Sequence, residues 1–424
     1  MLRAVVTAML FAVVPMSALA QGALEADQLP AGYTLSANPS LTSSLAAAGG
    51  GVLGRKSNGG ILGIDSLQNW SSYFYDPGLD SNGFPQFTWQ YTMVGRPPFG
   101  SDEDGRNGQT TNISTPIVPV NIDLRNADGS PRFVNGKRLF LDATQYVAPV
   151  LNSPVFANSP YTSSERPTQF TDAVSRAEFF RQADDDWHTM LRPRVVAART
   201  MVLIQGTYQF GLNADGTLRF VLVDEGTFIN ALFPPTATDT TTIMGAVENS
   251  GEITPSDLST FLFPNTFLYI GTPANCCILG FHSYDLEPGS AANGWREKHY
   301  VMAYASWISP GLFGGGFQDV TALSHEMSEA FNDPFVNNAT PWWLAPFGLC
   351  QNNLETGDVI EGLANAVLPI TLNGFTYHPQ TEALLPWFAG VSPSPAIHGA
   401  YSYPDTTVLT SAAVSQNLNC TPPK

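Results

Sequence analysis

The sequence predicts an α+β fold in which a mixed, strand-rich sheet packs on one buried helix, with loop-rich extensions at both ends. Charged residues make up only 13% of the 424 residues, while the chain holds 37 glycines and 33 prolines. This composition favours strands and loops over long helices. Several predicted strands precede a helix near residue 325, and the chain is long enough for a large core in one or two domains.

The first half of the chain predicts few regular elements. Residues 21 to 110 are rich in Gly, Ser, Asn and aromatic residues, which indicates a loop-rich region with a few strands. Ile117–Leu124 alternates between apolar and other residues and predicts a strand. Phe170–Met190 carries apolar residues at helical spacing and predicts a helix.

Four further segments predict strands. Arg199–Phe210 and Leu218–Val223 flank Asn213-Ala-Asp-Gly216, which is a strong hairpin signal. Thr266–Ile270 and Tyr300–Ile308 are also predicted strands, and the second lies just before a glycine-rich run and the helix near residue 325.

The helix near residue 325 is predicted from its own boundaries and periodicity. Asp319 is a candidate N-cap, and Pro334 ends the helix because proline disfavours helical backbone at the residue before it. The expected length is about three turns. Apolar residues recur at helical spacing around Met327, namely Ala322, Leu323, Ala330 and Phe331.

This helix carries an HExxE pattern, His325-Glu326-Met-Ser-Glu329. Because His325 and Glu329 are four residues apart, they project from one helix face and can meet a single metal ion. Glu326 is then a candidate general base for a water bound to that ion. The pattern departs from the HExxH motif of zinc peptidases, since Glu329 stands where the second histidine would be. The alternative is a solvated or hydrogen-bonded His-Glu pair with no metal.

A third metal ligand is expected downstream. Leu354-Glu355-Thr-Gly-Asp358 offers two carboxylates, and either Glu355 or Asp358 would take the place of the late acidic ligand of gluzincin-type peptidases. A ligand close to the helix, as in metzincins, fits poorly because the corresponding position is Phe335.

Eight segments of the chain form a recognisable set: Ala322–Phe335, Pro341-Trp342, Cys350-Gln351, Leu354–Asp358, Thr168–Ala173, Arg176–Phe180, Asp186–His188 and Cys276–His282. Together they resemble a family of secreted bacterial proteins of unknown function. A more distant similarity, limited to the HExxE helix and Glu355-Thr-Gly-Asp358, is to the exordium-like, phosphate-induced extracellular proteins of plants. The resemblance covers roughly residues 110 to 365 and implies a zincin-like core.

The chain is divided accordingly into four predicted parts. Residues 1–20 form a secretory signal peptide, with a positive start, an apolar run and a small-residue ending before Gln21. Residues 21–110 form the N-terminal region, residues 111–365 the zincin-like core, and residues 366–424 a C-terminal extension of strands and loops. The protein is therefore expected outside the cytoplasm, either extracellular or periplasmic, without membrane insertion after removal of the signal.

Charge and motifs exclude several function classes. A formal net charge of −17 disfavours nucleic acid and anionic lipid as partners. The chain has no Gly-x-Ser-x-Gly elbow and no Walker loop, so serine hydrolase and nucleotidase chemistry has no local support. The oligomeric state cannot be predicted.

The chain has four cysteines, which permits disulfides in an exported protein. The preferred pairing joins one of the adjacent Cys276 and Cys277 to Cys350 and the other to Cys420. A bridge between Cys276 and Cys277 is the alternative. His282 lies beside the adjacent pair and is either a metal or substrate contact or the donor of a structural hydrogen bond.

The leading functional hypothesis is a secreted metal-dependent hydrolase of the zinc metallopeptidase type that acts on a peptide or a cell-surface polymer. In it, His325, Glu329 and either Asp358 or Glu355 bind zinc, and Glu326 is the catalytic base. Calcium or another divalent ion remains open, because two carboxylates and one imidazole are less selective for zinc than two histidines. The same acids also leave glycoside cleavage open. The alternative is a non-catalytic extracellular or surface-associated protein with a structural metal or a peptide- or glycan-binding role.

Overall fold

The predicted α+β class is confirmed by the computed structural model, which has a mostly parallel central sheet and few helices. It describes residues 26–38, 64–75, 81–82, 88–98, 110–161, 166–314 and 316–413. The predicted signal peptide and much of the predicted N-terminal region lie outside these residues. No helix within the described ranges is long and apolar enough to cross a membrane.

The regular elements are numbered in chain order. The strands are β1 (Ile64–Asp65), β2 (Asn69–Tyr75), β3 (Thr88–Val94), β4 (Thr111–Arg125), β5 (Phe133–Val134), β6 (Lys137–Arg138), β7 (Phe140–Leu141), β8 (Thr189–Val195), β9 (Arg199–Ile204), β10 (Tyr208–Leu212), β11 (Leu218–Asp224), β12 (Leu258–Pro264), β13 (Thr266–Tyr269), β14 (Cys276–Ile278), β15 (Gly280–Glu287), β16 (Glu297–Trp307), β17 (Ala339–Leu344), β18 (Cys350–Asn353), β19 (Ile370–Leu372), β20 (Phe375–Tyr377), β21 (Glu382–Ala383) and β22 (Ser402–Tyr403). The α-helices are α1 (Val147–Leu151), α2 (Phe170–Glu178), α3 (Glu225–Leu232), α4 (Ile243–Asn249), α5 (Thr321–Asn332), α6 (Asp358–Glu361) and α7 (Leu385–Phe388). Short 3₁₀ helices occur at Thr144–Tyr146, Ala291–Asn293 and Ile397–Gly399.

The central sheet has the strand order β1-β16-β12-β4-β7, with β15 paired to β16 and with β8 and β9 paired to β4. All of these pairs are parallel except β15 with β16 and β4 with β7. The long strand β4 contains the predicted strand Ile117–Leu124, which is thereby confirmed. Its Ile117, Val118 and Val120 are fully buried, as expected for a strand that is covered on both faces.

A second sheet, of order β10-β11-β13-β14, contains the predicted hairpin. Strands β10 and β11 pair antiparallel around the turn at Asn213–Gly216, and Gly216 has a positive φ of 82° that suits this turn. The predicted single strand Arg199–Phe210 is wrong in one respect. It is divided into β9 and β10 by a turn at Gly206, whose φ is 99°.

The predicted helix Phe170–Met190 is also too long, because α2 ends at Glu178. The chain then turns, with the amide groups of Gln182 and Ala183 both donating to the carbonyl of Phe179. The acidic run Asp184–Asp186 follows in the exposed turn region. The chain then enters β8 at Thr189.

Helix α5 confirms the predicted helix, and its end before Asp333 and Pro334 agrees with the predicted stop. The predicted N-cap Asp319 is wrong. The helix begins at Thr321, and the Asp319 carboxylate instead accepts from the amide groups of Val320 and His378. This contact ties the start of α5 to the C-terminal part of the chain.

Every residue of α5 is buried, so the helix is enclosed on all sides. Its apolar face, formed by Leu323, Met327 and Ala330, joins the same core as Val301 and Ala303 of β16. The opposite face carries His325, Glu326 and Glu329, which are therefore removed from water. Burial of ionisable groups on this face requires polar or charged partners.

The preferred disulfide pairing is wrong, because Cys276 and Cys277 are bonded to each other. The peptide bond between them is cis. Cys350 is also disulfide-bonded, and Cys420 lies outside the described residues.

Glu178 at the end of α2 connects the helix to the C-terminal part of the chain. Its Oε1 accepts a hydrogen bond of 2.6 Å from the amide group of Leu385. Burial raises the pKa of Glu178 from 4.5 to about 8. The folded protein therefore holds a proton on Glu178 that the unfolded chain releases above about pH 4.5.

Replacing Glu178 by Gln should therefore stabilise the protein at alkaline pH. Because the folded-state pKa is raised, the wild-type free energy of unfolding falls between about pH 4.5 and 8, whereas the variant lacks this loss. Urea unfolding should give a gain on the order of 2–4 kcal/mol at pH 8 that disappears at pH 4. Asp185→Asn, at an exposed carboxylate in the turn after α2, is the control. A gain for Glu178→Gln that does not change with pH would contradict this account.

Candidate metal centre

Six ionisable side chains from four parts of the chain converge beside α5. The helix supplies His325, Glu326 and Glu329, strand β15 supplies His282, the segment after β18 supplies Glu355, and α6 begins with Asp358. All six side chains are at most 6% exposed. The predicted metal ligands and the predicted base are thus all at one place.

His325 is oriented by Gln380. The Nδ1 atom of His325 lies 3.2 Å from Oε1 of Gln380, while Nε2 of Gln380 donates to the carbonyl of Gly357 at 2.8 Å. Because this second bond fixes the amide, His325 must donate from Nδ1 to the amide oxygen. Its Nε2 then carries the lone pair and has no hydrogen-bond partner among the described residues. A carbonyl-type oxygen behind a histidine is the usual arrangement at metal sites.

Two carboxylates face the lone pair of His325. Oε2 of Glu329 is 3.1 Å from Nε2, and Oδ1 of Asp358 is 3.6 Å from it. Burial disfavours a charged imidazole, but the charges of Glu329 and Glu326 raise the pKa of His325 well above its ordinary value. A cation on or beside this imidazole is therefore stabilised.

Glu329 is fixed by backbone amides. Its Oε1 accepts from the amide groups of Gly357 at 3.0 Å and Asp358 at 3.2 Å. Its Oε2 therefore points towards His325 and His282, and lies 3.5 Å from Nδ1 of His282. Burial alone would raise the pKa of Glu329, but the two histidines hold it well below its ordinary value.

His282 takes part in the site, although the sequence left its role open. Its Nε2 donates to the carbonyl of Asp333 at 3.0 Å, so Nδ1 faces the acids. Nδ1 lies 3.7 Å from Oε2 of Glu326 and 3.9 Å from Oε2 of Glu355. Burial lowers the pKa of His282, but the charge of Glu355 and contacts with Glu326 and Glu329 raise it well above the ordinary value.

The two predicted candidates for the third ligand have different neighbours. Asp358 faces His325, and its Oδ2 accepts from Gln351 at 2.5 Å. Glu355 faces His282, and its Oε1 accepts from Asn353 at 2.8 Å. Burial, followed by the charge of Glu329, raises the pKa of both carboxyls well above their ordinary values. Asp358 is thus the candidate partner of His325.

Glu326 lies between the two histidines. Its Oε1 is 4.0 Å from Nε2 of His325, and its Oε2, which has no hydrogen-bond partner in the described part of the chain, faces His282. Burial raises the pKa of Glu326. A cavity of about 10 Å³, roughly the space that one water needs, adjoins Glu326 and His325. Its other lining residues are Leu279, Gly280, Thr321, Ala322, Glu361 and Gln380.

The buried ligand atoms form two groups in which all atoms lie within 4.8 Å of one another. One group is His325, Glu329 and Asp358, and the other is His282, Glu326 and Glu329. Imidazole nitrogens and carboxylate oxygens are ligands of zinc and related divalent ions. These buried groups could therefore hold a metal ion.

A third group of acids lies away from α5. It contains Glu248 of α4 with Asp285 and Glu287 of β15. Lys298 donates to Oε2 of Glu287 at 3.0 Å, and burial raises the pKa of Glu248 to about 9. Because Lys298 already pairs with Glu287 of this group, we assign no ion to it.

Two glycines allow the close packing of the site. A Cβ atom on Gly357 would lie 2.6 Å from Nδ1 of His325, and one on Gly280 would lie 2.7 Å from Cγ of Glu326. Gly357 and Gly280 lie in segments that the resemblance includes, but nothing in those segments or around Gln380 indicates a packing role. Their contribution depends on contacts between distant segments, which no single motif encodes.

Comparisons of the chain with protein-family models, with curated proteins and with solved structures find no match. The chemistry of the site is therefore inferred from its geometry.

Replacing Gly357 by Ala should weaken metal binding without changing the backbone. The φ and ψ angles of Gly357, −79° and −40°, suit alanine, but the new methyl group would displace the His325 ring. We expect a loss of zinc affinity of roughly 10- to 100-fold, the usual effect of disturbing the support of a ligand. Competition titration with a fluorescent chelator measures it. Gly314→Ala, which meets no described atom within 4 Å, is the control and should keep wild-type affinity.

Proposed function

We propose that this chain is a secreted, zincin-like metal-dependent hydrolase whose ion is held by His325, Glu329 and Asp358. Zinc is the most suitable ion, because it takes imidazole and carboxylate ligands and catalytic zinc sites use three protein ligands. The substrate class in this proposal is a peptide or a cell-surface polymer. The proposal includes the relationship to the secreted bacterial proteins that the sequence resembles.

The observation that carries the proposal is the orientation of His325. Gln380 fixes its tautomer, so the Nε2 lone pair is directed at Oε2 of Glu329 and Oδ1 of Asp358. Two carboxylate oxygens that face this nitrogen favour a positive charge there, which either a proton on the ring or a metal ion supplies. A divalent ion satisfies all three atoms at once.

Glu326 is the proposed base. A bound zinc ion lowers the pKa of a water to near 7 and polarises a carbonyl oxygen. Glu326 adjoins the cavity that has room for one water, and its Oε2 has no donor among the described residues. Its carboxylate can therefore accept the proton of that water and later donate it to the leaving group. Close packing against Gly280 holds the side chain in place.

A second candidate function, a structural ion site without catalysis, is favoured by the burial of the centre. The proposed ligands are at most 4% exposed, and the adjoining cavity has a volume of only about 10 Å³. Structural zinc sites are closed, whereas catalytic sites keep a position open to substrate. The two functions differ in the role of Glu326, which is essential to a hydrolase and dispensable for a structural ion.

Replacing Glu326 by Gln separates the two functions. For a hydrolase, the variant should keep its metal but lose activity by a factor on the order of 10²–10⁴, the usual contribution of a general base. Cleavage of fluorogenic peptide and glycan libraries, together with metal content by plasma mass spectrometry, measures this. Glu225→Gln on α3 is the matched control and should be fully active. Equal activity of Glu326→Gln and the control would contradict the proposed mechanism, and an inactive wild type with bound metal would favour the structural ion.

Metal removal should destabilise the protein under either function. Binding to the folded state alone stabilises it by about 4 kcal/mol when the ion is present at about 1,000 times its dissociation constant. Chelation should therefore lower the melting temperature of the wild type, and added zinc should restore it. His325→Ala should show no such response. A chelator effect of equal size in His325→Ala would mean that the ion lies elsewhere.

A further inference from the structure

We propose that the centre holds a second divalent cation, bound by His282, Glu355 and Oε2 of Glu329, so that Glu329 bridges two ions. This inference rests on the proposed function, since it places the second ion beside the one held by His325 and Asp358. It assigns a role to His282 and Glu355, which the mononuclear site does not use.

The orientation of His282 is the first support. Its Nε2 donates to the carbonyl of Asp333, so Nδ1 carries the lone pair of the neutral ring. That lone pair faces carboxylate oxygens of Glu329 and Glu355 at 3.5 Å and 3.9 Å. The arrangement repeats the one around His325, with a carbonyl oxygen behind the ring and acids in front. Each imidazole is therefore oriented so that one ring nitrogen can bind a separate cation.

The separation of the ligand atoms is the second support. At a zinc–ligand distance of about 2.1 Å, two ligands of one ion are at most about 4.2 Å apart. Nδ1 of His282 lies 3.5 Å from Oε2 of Glu329 and 3.9 Å from Oε2 of Glu355, both within that limit. Nε2 of His325 lies 3.1 Å from the same oxygen of Glu329. The close group around His282 also includes the proposed base Glu326. Two ions that share Glu329 can therefore each bind one histidine.

Glu326 remains a base in this arrangement. Its Oε1 lies towards His325, and its Oε2 lies 3.7 Å from Nδ1 of His282. The carboxylate thus lies beside both ion positions and can accept the proton of a water between them. Two-metal sites act in this way in hydrolysis, where the ions stabilise the attacking and the leaving oxygen.

The test is the number of ions that each variant binds. Purified full-length mature protein is stripped with a chelator, loaded with zinc, freed of excess metal and analysed by plasma mass spectrometry. We expect two equivalents in the wild type, one in Glu355→Gln and His282→Ala, and two in Glu326→Gln. The exposed His398, replaced by Asn to suit its positive φ of 50°, is the control and should keep two. Glu355→Gln preserves shape, so it tests the proposal even if His282→Ala does not fold.

Cobalt(II) loading gives an independent readout. Two bridged cobalt ions should show magnetic coupling by electron paramagnetic resonance, and Glu355→Gln should show the spectrum of an isolated ion. If the wild type binds one equivalent of metal and His325→Ala binds none, the proposal of a second ion is overturned and the proposed function stands. Two equivalents retained in Glu355→Gln and His282→Ala would also overturn it, and no metal in the wild type would overturn both proposals.

Discussion

The carboxylate of Glu329 is the contact on which the whole centre depends. One of its oxygens accepts from the backbone amides of Gly357 and Asp358, which attaches the segment after β18 to helix α5. The other oxygen faces both histidines. Because α5 is buried along its full length, the helix cannot shift to adjust these distances. The position of Asp358 relative to His325 therefore follows from two hydrogen bonds to one side chain.

The support of the histidines comes from chain segments that are distant in sequence. Gln380 reaches His325 from the C-terminal part of the chain and is itself held by the hydroxyl of Ser324 and the carbonyl of Gly357. The carbonyl of Asp333, directly after α5, accepts from His282. The same two rings thus depend on the end of the helix and on a segment some fifty residues later. Folding of the C-terminal part is consequently linked to the geometry of the centre.

The sequence predicted the local elements of this arrangement but not the contacts between them. The spacing of the apolar residues and the stop at Pro334 predicted α5. The four-residue spacing of His325 and Glu329 was enough to place both side chains on one face of that helix. The choice between Glu355 and Asp358 was not predictable, because it depends on which backbone amides meet Glu329. The sequence left His282 with two possible roles, because the choice between them depends on the packing of β15 against the helix. The N-cap assigned to Asp319 was wrong because a tertiary contact with His378 uses that carboxylate.

Burial of the centre links metal binding to proton binding. The carboxylates raise the affinity of His282 and His325 for protons, and a metal ion requires the same nitrogen lone pairs. Protons and ions therefore compete for the same two positions, and metal affinity must rise with pH until the rings are neutral in the metal-free protein. A protonated ring neutralises one carboxylate, whereas a divalent ion neutralises two. Under the proposed function, ion binding therefore offsets more of the buried negative charge than protonation of a ring does.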